Sequence, residues 1–110
     1  MADVSEYVAD IKKYTAKVDE AAVAGMAKTY ALVMSKADSR YVAASDADEV
    51  QRVVDGFLKK KLGRKEDDKT LIAAVKAVGE KMKGDRTKSR ITVYYLLAEH
   101  FGQLSAFQPK

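Results

Sequence analysis

The chain has 110 residues and a net charge of +4, enough sequence for one domain with its own core. Its 47% hydrophobic and 33% charged residues exclude a disordered chain. The lack of cysteine excludes a disulfide framework, a thiol nucleophile and a thiolate metal site.

Pro109 is the single proline, so no helix before the tail is broken by that route. Apolar residues recur with the helical period almost throughout, which predicts five helices. The first covers about residues 3–17. Val4, Tyr7, Val8, Ile11, Tyr14 and Val18 share one side, and Asp3 and Glu6 sit at the helix start, where acids are favoured. The second covers about residues 19–35, with Val23, Met26, Ala27, Tyr30, Val33 and Met34 facing inward. Gly25 interrupts its interior at a cost of about 1 kcal/mol against alanine, which suggests close approach of a neighbouring backbone.

Residues 36–44 form the longest predicted loop, in which Tyr41 and Val42 tuck inward as a short extended piece. A third helix begins at Ser45, with Asp48 at capping-box spacing. Its buried stripe is Val50, Val53, Val54, Phe57 and Leu58, and Asp55 with Lys59 forms an outer pair. Lys59, Lys60 and Lys61 suit the negative helix end, and Gly63 supplies a left-handed stop. The fourth helix runs from Asp67 or Asp68 to Lys83, with Leu71, Ile72, Val75, Val78 and Met82 inward and Gly84 at its end.

The fifth helix, about residues 88–101, differs from the others. Ile91, Tyr94, Tyr95, Ala98 and Phe101 line one face, and Val93, Leu96, Leu97 and His100 line nearly the opposite one. A helix apolar nearly all round is buried on most sides. It is therefore either the centre of the domain or a helix shared with a second subunit. The β-branched and aromatic run 91–95 also suits a strand. Helix is preferred because residues 96–99 continue it and Gly102 caps it. The expected fold is thus an all-α single domain over residues 1–110, a compact bundle with the last helix central. Phe57, Val75, Tyr94, Leu97 and Phe101 are expected in its core.

The run SDADEVQRVVDGFLKKKLG, the amphipathic helix after it, EKM and then RTKSRITVYYLLAEHFG resemble a small bacterial family of uncharacterised proteins, domain of unknown function 2853. FLKKKLG and YYLLAEHFG are the most specific pieces. The resemblance covers about residues 41–107 and, more loosely, the N-terminal helices. Asp85 departs from it, standing where the family favours a small polar residue or Asn. The resemblance implies a compact, cytoplasmic, mostly helical domain and carries no reaction, cofactor or catalytic residue.

The charge is unevenly spread. Residues 1–55 hold seven Lys/Arg and ten Asp/Glu, a balance of −3, and residues 56–110 hold thirteen and six, a balance of +7. The candidate functional residues lie where this positive half meets a helix start: Lys81, Lys83, Arg86, Thr87, Lys88, Ser89 and Arg90. Free N–H groups and the helix dipole favour an anion there. Thr87 or Ser89 suits the cap, and Arg86 and Arg90 suit a bidentate oxyanion grip. Ordinary capping beside solvated lysines, with Asp85 paired to a neighbour, explains the same residues, and no glycine-rich phosphate loop accompanies them. A helix-turn-helix reading of the same junction lacks an exposed polar face on the second helix.

Other chemistry finds little support. His100 is the single histidine, and no HExxH accompanies it. Asp46, Asp48 and Glu49 recur like a calcium loop but lack its glycine, and they fit a helix N-terminus. No serine lies in GxSxG, the adjacent acids Asp67 and Asp68 need not flank a substrate, and the tyrosines fall mostly on inner stripes. Asp3 and Glu6 stand where a secretory signal needs basic then apolar residues, and no apolar run reaches the ~18 residues of a membrane span.

The expectation is a complete, cytoplasmic, non-enzymatic binding or assembly module without cofactor or metal, self-associating as a homodimer and not membrane-bound. The alternative is a nucleic-acid or phosphate-ligand binder using residues 81–90, joined by residues 59–65 if the two basic clusters converge on one face.

Overall fold

In this computed structural model, residues 4–36, 41–43, 46–84 and 88–107 are described. The chain order is α1 (Val4–Ile11), α2 (Glu20–Thr29), α3 (Ala31–Met34), β1 (Tyr41–Val42), α4 (Ala47–Val53), a π-helical segment (Val54–Lys59), α5 (Asp68–Lys81), β2 (Lys88–Ser89), α6 (Arg90–His100) and a 3-10 turn (Leu104–Phe107). The fold is mainly helical, as the periodicity predicts, with one small antiparallel strand pair.

α6 is the centre of the core. Ile91, Thr92, Val93, Tyr94, Tyr95, Leu96, Leu97 and Ala98 are all buried, an unbroken run of eight. α1, α2, α5 and the 3-10 turn pack around it. The apolar circumference is therefore covered by this chain itself. Two hydroxyls on α6 tie the N-terminal elements to it. The buried Thr92 hydroxyl donates to the Asp10 carboxylate of α1. The Tyr95 hydroxyl accepts from the Asp19 N–H at 2.8 Å, just before α2.

Several predicted boundaries shift, each for a tertiary reason. The first helix ends at Ile11 instead of running to residue 17. The chain turns over residues 12–14 and returns toward α6, where the Thr15 hydroxyl donates to Glu99. The second helix divides at Tyr30 into α2 and α3, although Tyr30 N–H still donates to Met26 O and Met34 N–H to Tyr30 O. Asp19 caps α2 by accepting from Ala22 N–H.

The third helix is capped by Asp46, whose carboxylate accepts from Asp48 N–H and Glu49 N–H at 2.9 and 3.4 Å. The predicted capping residue Ser45 lies outside the described residues. This helix then widens into the π segment, where Leu62 N–H reaches back five residues to Phe57 O. The wider turn still points Val53, Val54, Phe57 and Leu58 into the core. Gly63 (φ +67°) and Gly102 (φ +68°) provide left-handed stops. α5 starts after Asp67, which accepts from Thr70 N–H. It ends at Lys81 in a turn that includes Gly84, and Gly84 has no left-handed φ.

The predicted extended piece at Tyr41 and Val42 is present and finds an unforeseen partner. Tyr41 pairs with Ser89 and Val42 with Lys88. The last helix accordingly begins at Arg90, because Lys88 and Ser89 use their backbone in this pair. The predicted core positions Phe57, Val75, Tyr94 and Leu97 are buried, and Phe101 is half-buried.

Gly25 performs the close approach its position suggests. A Cβ there would lie 1.7 Å from the carbonyl oxygen of Phe107, so only glycine lets the 3-10 turn sit this tightly on α2. Phe107 then stacks on Phe57 at 5.9 Å, and Phe57 stacks on Tyr94 at 4.0 Å. Three nearly parallel rings thus join the C-terminal turn, the π segment and α6.

Candidate functional site

The described members of the predicted anion site fall at different ends of α6. Arg90 is its first residue. Lys81, the last residue of α5, instead borders a groove of about 160 Å³ with Leu96, Glu99 and His100, at the far end of the same helix. Nine residues of α-helix separate Arg90 from Glu99, roughly 14 Å. Lys83 is exposed and 3.4 Å from Glu80. Lys88 and Ser89 are half-buried in β2. Arg86 and Thr87 lie outside the described residues.

Arg90 turns inward. Its side chain is 11% exposed, and its guanidinium donates to Glu49 at 2.7 Å and to the Tyr94 hydroxyl at 2.8 Å. A longer contact of 3.4 Å reaches the Tyr41 carbonyl, and the guanidinium lies 5.5 Å from the Tyr94 ring centre. Burial works against its charge, and Tyr94 and Glu49 more than offset this, so its pKa lies above the ordinary arginine value. The ion pair joins α4 to the start of α6 and spans the β1 edge. Removing one partner of such a buried pair typically costs about 3–5 kcal/mol, because the other charge stays buried.

The same region carries three tyrosines that hold their protons. Burial raises the Tyr94 pKa, with Arg90 acting against it. Burial and then Tyr94 raise that of Tyr30, whose ring meets Tyr94 edge-on at 5.0 Å. Burial also raises that of Tyr95. These hydroxyls are held neutral. The Ser89 hydroxyl is buried with no hydrogen-bond partner among the described residues, and it makes no cap bond to α6.

The second basic cluster is partly spent on intramolecular contacts too. Lys59 pairs with Asp68 and, at 3.7 Å, with Asp55. Arg64 holds Glu66 through two bonds of 3.1 and 2.5 Å, reaches Gln103 at 3.2 Å and lies 4.5 Å from the Phe101 ring centre. Lys61 sits 5.4 Å from the Phe107 ring centre. Lys60 and Lys65 are exposed. Arg64 therefore lies beyond the C-terminal end of α6 and Arg90 at its start, so Arg64 and Arg90 do not meet.

Other expectations resolve simply. Residues 91–98 of α6 leave no exposed face to enter a DNA groove. His100 is exposed at the end of α6, against the Phe101 ring. Asp46 caps a helix, and Glu49 pairs with Arg52 and Arg90. Among the described residues, no group of three or more His, Asp or Glu side chains is placed to hold a metal ion. Among the same residues, no helix is long and apolar enough to cross a membrane.

Sequence spacing misses three features. Leu32 is 74% exposed, although it sits in an apolar helical run. Gly25 lines a groove of about 320 Å³ with Ala24, Lys28, Thr29, Ala106 and Phe107. The Arg90–Glu49 pair joins residues 41 positions apart. A helical wheel of residues 20–35 places Leu32 opposite the inner stripe and so holds a signal for the first. The other two depend on the tertiary arrangement.

This architecture is that of a small, mainly helical domain with a covered central helix. It is the architecture of a family described as protein of unknown function (DUF2853), whose model matches residues 6–105, and the chain belongs to that family. The match takes in most of α1 as well as the C-terminal motifs. No curated protein matches the chain.

Proposed function

We propose that this chain is a small non-enzymatic binding and assembly module that self-associates in the cytoplasm as a homodimer. The observation that supports it is Leu32, a large apolar side chain 74% exposed on the outer side of α2–α3. Isolated exposed leucines are common on protein surfaces. On the same α2–α3 run, Ala24, Gly25, Lys28 and Thr29 line a groove of about 320 Å³ with Ala106 and Phe107. Arg90, Thr92 and Tyr95 spend their polar groups within the chain, on Glu49, Asp10 and the Asp19 N–H. The reason for a dimer lies in the α2–α3 surface, since α6 is already covered.

Light scattering and sedimentation on the unmutated chain test this reading. The average mass should rise above the single-chain 12.1 kDa as concentration increases from micromolar to millimolar. A mass fixed at 12.1 kDa over that range would reject it.

A phosphate-rich partner is the second reading, favoured by the exposure of Lys60, Lys65, Lys81 and Lys83. Exposed lysines of this kind would give diffuse binding that falls steeply with added salt.

A further inference from the structure

We propose that the groove between the C-terminal ends of α5 and α6 binds a zwitterion, a free α-amino acid with an aliphatic side chain. This site goes beyond self-association and needs no second copy.

The groove is lined by Ala77, Val78 and Lys81 of α5 and by Leu96, Glu99 and His100 of α6. α5 ends at Lys81 and α6 at His100, so the two helices bring their C-terminal ends to one place. Each such end carries partial negative charge, which favours a cation. Glu99 adds a full negative charge. It is half-buried, and one of its oxygens accepts from the Thr15 hydroxyl at 3.1 Å, which fixes the carboxylate. Its other oxygen has no hydrogen-bond donor among the described residues. Lys81 brings the opposite charge to the rim. It is exposed and has neither a hydrogen bond nor an ion pair among the described residues. Lys81 and Glu99 thus share one groove without closing on each other. The exposed His100 imidazole is held edge-on to the Phe101 ring at 4.9 Å. Val78 and Leu96 are buried and supply an apolar floor.

A ligand with a single charge meets one wall and faces like charge on the other. A zwitterion meets both. Its ammonium group donates to the inner carboxylate of Glu99. Its carboxylate accepts from Lys81 and His100 at the exposed rim, and its side chain lies on Val78 and Leu96. Size points the same way. The groove, about 160 Å³, has the volume of roughly five waters, so it suits a single amino acid. The larger groove beside Gly25 offers Lys28 and no carboxylate, so charge selects no such ligand there. Ala77, Lys81 and His100 leave the site open to solvent. Binding is therefore weak, with dissociation on the order of 1 mM.

The test titrates the full chain with L-leucine and follows backbone amide shifts by two-dimensional NMR, with circular dichroism to confirm that each variant folds. Saturating shifts should centre on the lining residues. Glu99→Gln keeps an oxygen for Thr15 but loses the charge, and should weaken binding about fivefold. Lys81→Ala should weaken it about two- to fivefold. Lys69→Ala lies roughly 18 Å from Lys81, at the other end of α5, and should leave it unchanged. Isocaproate, which is leucine without its ammonium group, and isoamylamine, which lacks the carboxylate, should each bind about fivefold more weakly. Glycine should bind at least about tenfold more weakly, since it leaves the apolar floor uncovered. The absence of saturating shifts at the lining residues up to roughly 50 mM leucine overturns the site. If inorganic phosphate or isocaproate binds there as tightly as leucine, the groove holds simple anions and the zwitterion is wrong. Unchanged binding in Glu99→Gln, or equal loss in Lys69→Ala, also overturns it.

Discussion

α6 and the α2–α3 run both read as apolar helices, and the fold treats them oppositely. α6 has apolar residues on nearly every side, and all eight from Ile91 to Ala98 are covered by its own chain. α2–α3 has an ordinary one-sided stripe, yet Leu32 stands in solvent at 74% exposure. The apolar circumference of a helix therefore reports how central it is, and does not report whether a partner is missing. Unmet apolar surface shows instead where an apolar residue falls opposite the inner stripe, as Leu32 does. The charged residues follow the same rule. Arg90 belongs to a basic stretch of the sequence and ends up 11% exposed against Glu49, whereas Lys28, the one basic residue of α2, faces outward.

The sharpest way to break this comparison is one substitution made in both regions. Leu97→Ala removes a fully buried side chain from α6. It should cost about 2–5 kcal/mol, the lost transfer energy plus the residual cavity. Chemical denaturation measures it directly. Unchanged stability would mean that α6 is not the centre of the core.

Gly25→Ala tests where the two regions meet. The added Cβ would strike backbone at Phe107, which cannot swing aside as a side-chain tip would. The 3-10 turn must therefore lift, and Phe107 must leave its place on Phe57. Loss of that burial costs about 1.5–3 kcal/mol. Alanine returns about 1 kcal/mol of helix propensity. The net expectation is a loss of about 0.5–2 kcal/mol. Faster hydrogen exchange in the C-terminal residues, and loss of the ring-current shifts of the Phe57 and Phe107 protons, should accompany it. A net gain in stability with the ring shifts intact would show that the turn accommodates the methyl group without leaving.

The fold was legible wherever its cause is local. Helical period gave the inner stripes of α4 and α5, Asp67 marked a start, and Gly63 and Gly102 marked stops through a left-handed φ. The stop of α1 at Ile11 had no glycine or proline to announce it. Just past it the Thr15 hydroxyl meets Glu99, 84 residues away, a contact that local spacing does not announce. The start of α6 moved to Arg90 because β2 pairs with β1, a contact that helical periodicity does not encode. The candidate site was less legible for the same reason. Lys81 and Arg90 are near in sequence, but the domain sets them toward opposite ends of α6. Nothing in local spacing distinguishes an arginine that grips a ligand from one that grips Glu49.

Leu32→Ala completes the comparison and has the smallest expected effect on the folded monomer. The same atoms are deleted as in Leu97→Ala, but at position 32 they lie mostly in water. No cavity forms, and little apolar area returns to solvent. Surface changes of this kind usually stay within about 0.5 kcal/mol. Leucine and alanine are both good helix formers, so propensity adds little. Denaturation should therefore be measured at low micromolar concentration, where the expected dimer is dissociated and only the monomer contributes. Under that condition the midpoint of Leu32→Ala should match the unmutated chain. At high concentration the two should diverge, because an assembled dimer adds stability by mass action that the variant lacks. A large loss already present at low concentration would place Leu32 inside the monomer's own packing and remove the contrast between the two helices.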